Sequence, residues 1–136
     1  MDPLSITTAC IGLVGSIANV SIQISDFVRG AREARGDLDL ISRELVSLKT
    51  LLDILSEDAR TGNGFTESLA KNLSGILESL GGVLKQIEVE IQKHAGGSLG
   101  PAVKWSLSGR EEANKLRSSL EVYKSTLEIV LDMVSM

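Results

Sequence analysis

The sequence predicts an all-α fold, a four-helix-type bundle with an additional short helix before the last long one. Three observations lead there. Hydrophobic residues make up 43% of the 136 residues but aromatics only 3%, with two prolines, so a core has to be built from Leu, Ile, Val and Ala; that is the composition of helical bundles. Apolar residues recur along most of the chain at alternating spacings of three and four, the period of one helix face. Glycine-bearing interruptions at 29–37, 57–65 and 95–101 divide this pattern into four long segments. The length suits one domain, 1–136, able to bury roughly two thirds of the surface its unfolded chain would expose.

The first helix is expected to begin at Pro3 and to occupy most of 1–28. The Asp2 carboxylate can cap free backbone N–H groups, and proline's fixed φ and missing N–H suit the first helical position. Residues 3–25 all lack charge, although 24% of the chain is charged. Ile6, Cys10, Leu13, Ile17, Val20, Ile24 and Phe27 form one stripe of this helix, whereas Leu4, Ile11, Gly15, Ala18 and Ile22 fall on roughly the opposite side. Small polar residues lie between the two, with Thr8, Gly12, Ser16, Asn19 and Gln23 on one flank and Thr7, Ser21 and Ser25 on the other. A helix apolar on two sides wants two partners.

Three readings compete for this segment. Its 23 residues span roughly 34 Å, sufficient to cross a hydrocarbon layer of about 30 Å. Eight of them are Ser, Thr, Asn or Gln, which are costly to bury in lipid unless paired, so constitutive insertion is marginal. A secretory signal is disfavoured because Asp2 precedes the apolar run and no Lys or Arg occurs before Arg29. The preferred reading is a helix in the middle of a resting bundle with conditional entry into a membrane. The residues expected to carry insertion are Leu4, Ile6, Ile11, Leu13, Val14, Ile17, Ala18, Val20 and Ile22.

A turn is expected within 29–37. Arg29, Arg32 and Arg35 follow one another there at three-residue intervals, compatible with anionic lipid headgroups, although a solvated connector is the commoner explanation of such a cluster. The second helix is read from Leu38, on the stripe Leu38, Ile41, Leu45, Leu48, Leu52, Leu55. A loop is expected over Glu57 to Phe65, after which Thr66 caps a third helix carrying Leu69, Leu73, Ile76, Leu80, Val83, Ile87 and Ile91 and ending near His94. Gly81-Gly82 should produce a kink or a close helix contact.

The loop 95–101 lacks the Lys-Ser/Thr ending of a phosphate loop. Residues 102–107 can form the short helix, with Trp105 as a core anchor. Ser108 and Glu111 fit a capping box that opens the last helix, on the stripe Ala113, Leu116, Leu120, Tyr123, Leu127, Val130, Val134. The pattern still runs at Met136, which reads as the N-terminal domain of a longer protein.

The residues argue against several functions. A net charge of −4 and few aromatics do not fit nucleic-acid binding. With one histidine, His94, and one cysteine, Cys10, on an apolar stripe, neither metal nor nucleophilic catalysis finds its parts, and no cofactor is expected. The acidic pairs Glu88 with Glu90 and Glu111 with Glu112 are expected on polar faces. A lone cysteine excludes a disulfide within the chain and fits a reducing cytosol.

The opening Met1-Asp2-Pro3-Leu4-Ser5-Ile6, and Lys104-Trp105-Ser106-Leu107 leading through Glu111-Glu112 to Leu116, Leu120 and Tyr123-Lys124-Ser125-Thr126-Leu127, resemble the HeLo-like N-terminal domain of fungal STAND (NLR-like) receptors and related cell-death proteins. The resemblance covers nearly the whole chain. It implies a non-enzymatic cytoplasmic bundle that executes or relays programmed cell death and heterokaryon incompatibility, similar to the four-helix killer domains of plant immune receptors and animal necroptosis effectors. It also implies an N-terminal helix directed to the plasma membrane on activation, a role that falls here on Leu4 to Ile24. The partners implied are further copies of the chain, membrane lipids, and C-terminal effector or sensor domains. The competing expectation is an adaptor whose three-four stripes build a helical oligomer interface and whose first helix never leaves the core.

Overall fold

The computed structural model describes residues 3–62, 64–95, 105 and 109–135. Among them every regular element is helical: α1 spans Pro3–Gly30, a 3-10 turn Arg32–Ala34, α2 Arg35–Thr61, α3 Glu67–Ala95 and α4 Arg110–Ser135. α1 packs against α2 and α3, and α4 packs against the same two, so α1 and α4 stand diagonally across one core. The α3–α4 side is the loosest of the four.

The stripes read from the sequence build most of that core; on α3, however, Leu69, Ile76 and Val83 are only partly buried and Ala70, Leu77 and Leu84 take the core side, because the buried face is turned by one residue from the expected one. Ile6, Cys10, Leu13, Ile17, Val20, Ile24 and Phe27 of α1 are buried, as are Leu38, Ile41, Leu45, Leu48, Leu52 and Leu55 of α2. They meet Leu73, Leu80, Ile87 and Ile91 of α3 and Ala113, Leu116, Leu120, Leu127 and Val130 of α4. Each fully buried Leu or Ile contributes roughly 1.5–3 kcal/mol relative to exposure, before the entropy of ordering it is subtracted.

The connections differ from the expected ones in two places. α2 begins at Arg35 rather than Leu38, so Gly36 lies in its first turn and the link from α1 shortens to Ala31 and the 3-10 turn. Burial explains this: Ala31 and Ala34 are both in the core, and the Ala34 N–H donates to the Ala31 carbonyl at 3.0 Å. At its other end α2 continues through Glu57 to Thr61, where a loop was expected. Ala59 is buried there, Arg60 pairs with Glu57 one turn back at 2.6 Å, and the Thr61 hydroxyl donates to the Asp58 carbonyl at 2.8 Å. Only Gly62 stops the helix, at φ 77°, with its N–H shared between the Asp58 and Ala59 carbonyls.

Gly64, at φ 80°, brings the same link against the end of α4, where a Cβ would stand 2.6 Å from the Val134 carbonyl oxygen. Thr66 then caps α3, accepting the Leu69 N–H on Oγ1 at 3.1 Å. α3 runs unbroken through Gly81-Gly82. Of the expected kink or close contact it is the contact that is present, since a Cβ on Gly81 would lie 3.6 Å from Leu13 Cδ2 of α1. The capping roles of Asp2 and Ser108 and the short helix over 102–107 lie outside the described residues, apart from Trp105 itself. Glu111, the other half of the capping box, is described in the exposed first turn of α4, 3.7 Å from Lys115.

Candidate functional site

α1 has the two faces its sequence implies, and the bundle uses one of them. Of the residues expected to carry membrane insertion, Ile6, Leu13, Ile17 and Val20 are buried in the core, Val14 is half-buried, and Ala18 is exposed. Leu4, Ile11 and Ile22 are 66%, 63% and 61% exposed. The structure therefore does not gather that set on one surface. It splits it into a core half facing α2 and α3 and an outer half facing solvent.

By length and composition α1 is sufficient to cross a membrane, with a mean hydropathy of 1.6 over its most apolar part. The polar side chains that made insertion marginal are partly satisfied by the helix itself. Thr8 Oγ1 donates to the Leu4 carbonyl at 3.1 Å and Ser16 Oγ to the Gly12 carbonyl at 3.2 Å. Such i to i−4 bonds travel with the helix into any solvent, so these two hydroxyls need no partner from the bundle or from water.

The polar flanks have separate neighbours. On the α2 side, Thr7 Oγ1 donates to the Ser56 carbonyl at 3.1 Å. On the α3 side, Gly12 and Ser16 face Ser74, Leu77 and Gly81 across a groove of about 460 Å³. The groove exists because small residues line both helices.

Arg29, Arg32 and Arg35 are all exposed around the turn that closes α1. Arg29 stands 3.6 Å from Asp26, an ion pair open to water on both sides, and so contributes little to stability.

The densest polar chemistry lies at the same end of the bundle and was not read from the sequence. Trp105, 2% exposed, donates its indole N–H to Asp37 Oδ2 at 2.9 Å, and Arg110 Nε reaches the same oxygen at 3.3 Å. The ring lies against Phe27 of α1, with centroids 5.8 Å apart, and meets the His94 ring edge to face at 5.4 Å. Trp105 is thus the core anchor expected of it.

Glu90, by contrast, is not on a polar face as expected but buried. The physical reason is that the last turns of α3 are covered by Trp105 and the start of α4, with which Glu90 lines a small enclosed space. His94 is buried one turn on; its Nδ1 stands 2.8 Å from the Glu90 backbone carbonyl, which can only accept, so this nitrogen carries the proton. Its distance from Glu90 Oε2 is 3.7 Å. Spacing alone could have flagged the pair, since i and i+4 share a helix face, but nothing local marks that face as covered.

Two further features bear on chemistry. Cys10 is buried on the core face of α1, and that burial, with Asp53 adding to it, pushes its thiol up to about 12, far from a reactive thiolate. Lys124 of α4 reaches Glu44 of α2 at 3.1 Å, and the hydrogen bond and charge of Glu44 hold the ammonium above its ordinary range. Among the described residues no group of three or more His, Cys, Asp or Glu side chains could hold a metal ion. Comparison with protein-family models, characterised proteins and solved structures finds no match for this chain.

Proposed function

We propose that this domain is a non-enzymatic cell-death execution or signalling module of the HeLo-like kind, which oligomerises and conditionally inserts α1 into a membrane. The single observation that carries the reading is the outer face of α1. Leu4, Ile11 and Ile22 stand in solvent on a helix with no charged side chain from 3 to 25, in a bundle that already uses the opposite stripe. Water disfavours such a face; lipid or another copy of the chain does not. The internal bonds of Thr8 and Ser16 lower the cost of transfer. In this reading Arg29, Arg32 and Arg35 meet anionic headgroups beside the inserted helix, and the protein moves from the cytoplasm to the plasma membrane on activation. The short helix expected around Trp105, further domains after residue 136, and roles in heterokaryon incompatibility and innate immunity belong to the same proposal.

A second reading has an observation of its own. Val122, Ile129 and Met133 form an exposed apolar row on the outer side of α4, a surface suited to helical oligomerisation without any membrane step. Dye release from anionic vesicles by the purified domain separates the two. Release that rises steeply with protein concentration is expected for the membrane module. Self-association with vesicles left intact would replace it by the adaptor.

A further inference from the structure

The attachment of α1 to the bundle is unlike that between α2 and α4. α2 and α4 are tied by Lys124–Glu44 and Arg110–Asp37, whereas among the described residues α1 makes no ion pair with another helix. It is held along its side by apolar packing from Ile6 to Val28, and near its start by the Thr7 hydroxyl on the Ser56 carbonyl. At its other end Phe27 lies under the Trp105 ring. That ring belongs to the link between α3 and α4, and its position is fixed from outside α1: by Asp37 of α2 at 2.9 Å, by the His94 edge of α3, and by Gly109, where a Cβ would overlap the indole. The Asp37 bond has a charged acceptor and a buried donor, so it is stronger than a neutral one and its loss strands the indole N–H.

We infer that Trp105 is a clasp on α1: its bond to Asp37 keeps the indole over Phe27, and breaking that bond is the step that frees α1 from the bundle. The inference rests on the reading that α1 leaves the bundle. It adds where the restraint sits, and it makes Asp37 and Arg110, neither of them on α1, controllers of that movement.

Cys10 supplies the probe. It is the only cysteine, fully buried at the core face of α1, so a thiol reagent reaches it only when α1 opens. Asp37→Leu keeps approximate side-chain size but removes the acceptor; Trp105→Phe keeps a ring over Phe27 but removes the donor. Labelling of Cys10 in the whole domain, without lipid, is expected to accelerate about tenfold or more in each. The double variant should be no faster than the faster single one, since both break the same bond. Val130→Ala, on the diagonal helix α4, is the control: it lowers global stability and should leave labelling within about twofold of the parent, because the opening is local.

Parental labelling rates in both clasp variants would overturn the inference. So would a Val130→Ala protein of equal urea midpoint labelling as fast as they do, since Cys10 would then be exposed by global unfolding. Should Trp105→Phe fail to fold, Asp37→Leu decides alone. Vesicle leakage is scored separately: faster labelling without leakage upholds the clasp and refutes the membrane reading, and leakage with unchanged labelling does the reverse.

Discussion

Lysine placed on the two faces of α1 distinguishes a helix that meets lipid from one that only fills a core. Ile11 and Ile22 are mostly exposed, so Ile11→Lys with Ile22→Lys should change folding stability by no more than about 0.5 kcal/mol each. In a bilayer the same side chains stand at different depths. Counted from the middle of the uncharged segment, position 11 lies about 5 Å from the bilayer centre and position 22 about 12 Å, in a hydrocarbon half-thickness of about 15 Å. A lysine near the centre costs about 3 kcal/mol on insertion scales, and one near the boundary snorkels for about 1 kcal/mol or less. The sum of about 3–4 kcal/mol lowers the insertion equilibrium by roughly 10² to 10³.

Leu13→Lys with Ile17→Lys should instead unfold the domain, because both positions are buried and each stranded charge costs several kcal/mol against a total stability of about 5–15 kcal/mol. The assay pairs circular dichroism with dye release from anionic and zwitterionic vesicles, the latter because added lysines alone strengthen binding to anionic surfaces. Val122→Lys with Ile129→Lys is the matched control: it adds the same charge at 64% and 60% exposed positions of α4 and should leave release unchanged. A folded Ile11/Ile22 variant that releases dye like its parent would refute insertion through the outer face. Loss of release in the α4 control instead would move the active surface to α4.

Trp105→Ala should cost roughly 3–5 kcal/mol in urea unfolding, and the parent's tryptophan emission should be blue-shifted, as its burial requires; a red-shifted, freely quenched tryptophan would contradict the packing. Gly64→Ala should cost about 2 kcal/mol or more, through its positive φ and the Val134 carbonyl in the way, whereas Gly62→Ala, with open space around it, should cost about 1–2 kcal/mol; equal losses would place the link away from α4. Cys10 sets a pH dependence with a definite sign. Its folded thiol is pushed up from 9.0 to about 12, so its stabilising effect is complete below the unfolded value and is lost as pH rises from there toward 12. The parent should lose about 1.4 kcal/mol per pH unit above about pH 9 relative to Cys10→Ala, and parallel urea-stability curves for the two would show that the thiol ionises freely.

What could be read from the sequence followed from helical periodicity, and what could not followed from contacts between distant segments. The two stripes of α1 separate at 100° per residue before any partner is known, so the residues expected together on one side are the ones found buried together. The end of α2 misled because Glu57, Asp58, Arg60 and Thr61 are locally polar; Ala59, small and buried against the core, shows that the helix still has a covered side there. Glu90 misled for the converse reason. Its charge and its acidic neighbour Glu88 suggest a polar face, but Ile87 and Ile91 beside it are core residues, and Trp105 and α4, brought over it by the fold, turn that face inward. The bond from Trp105 to Asp37 joins residues 68 positions apart, beyond any window in which capping or periodicity acts. These two kinds of information divide the candidate site between them. The lipid-compatible outer face of α1 is a local property, written in spacing and absence of charge, and the helix carries it into any environment. The restraint at Phe27 is tertiary and exists only while α2, α3 and α4 hold the indole in place. In the proposed reading α1 leaves for a membrane still folded as a helix, once both that restraint and the apolar packing of its inner stripe against α2 and α3 are given up.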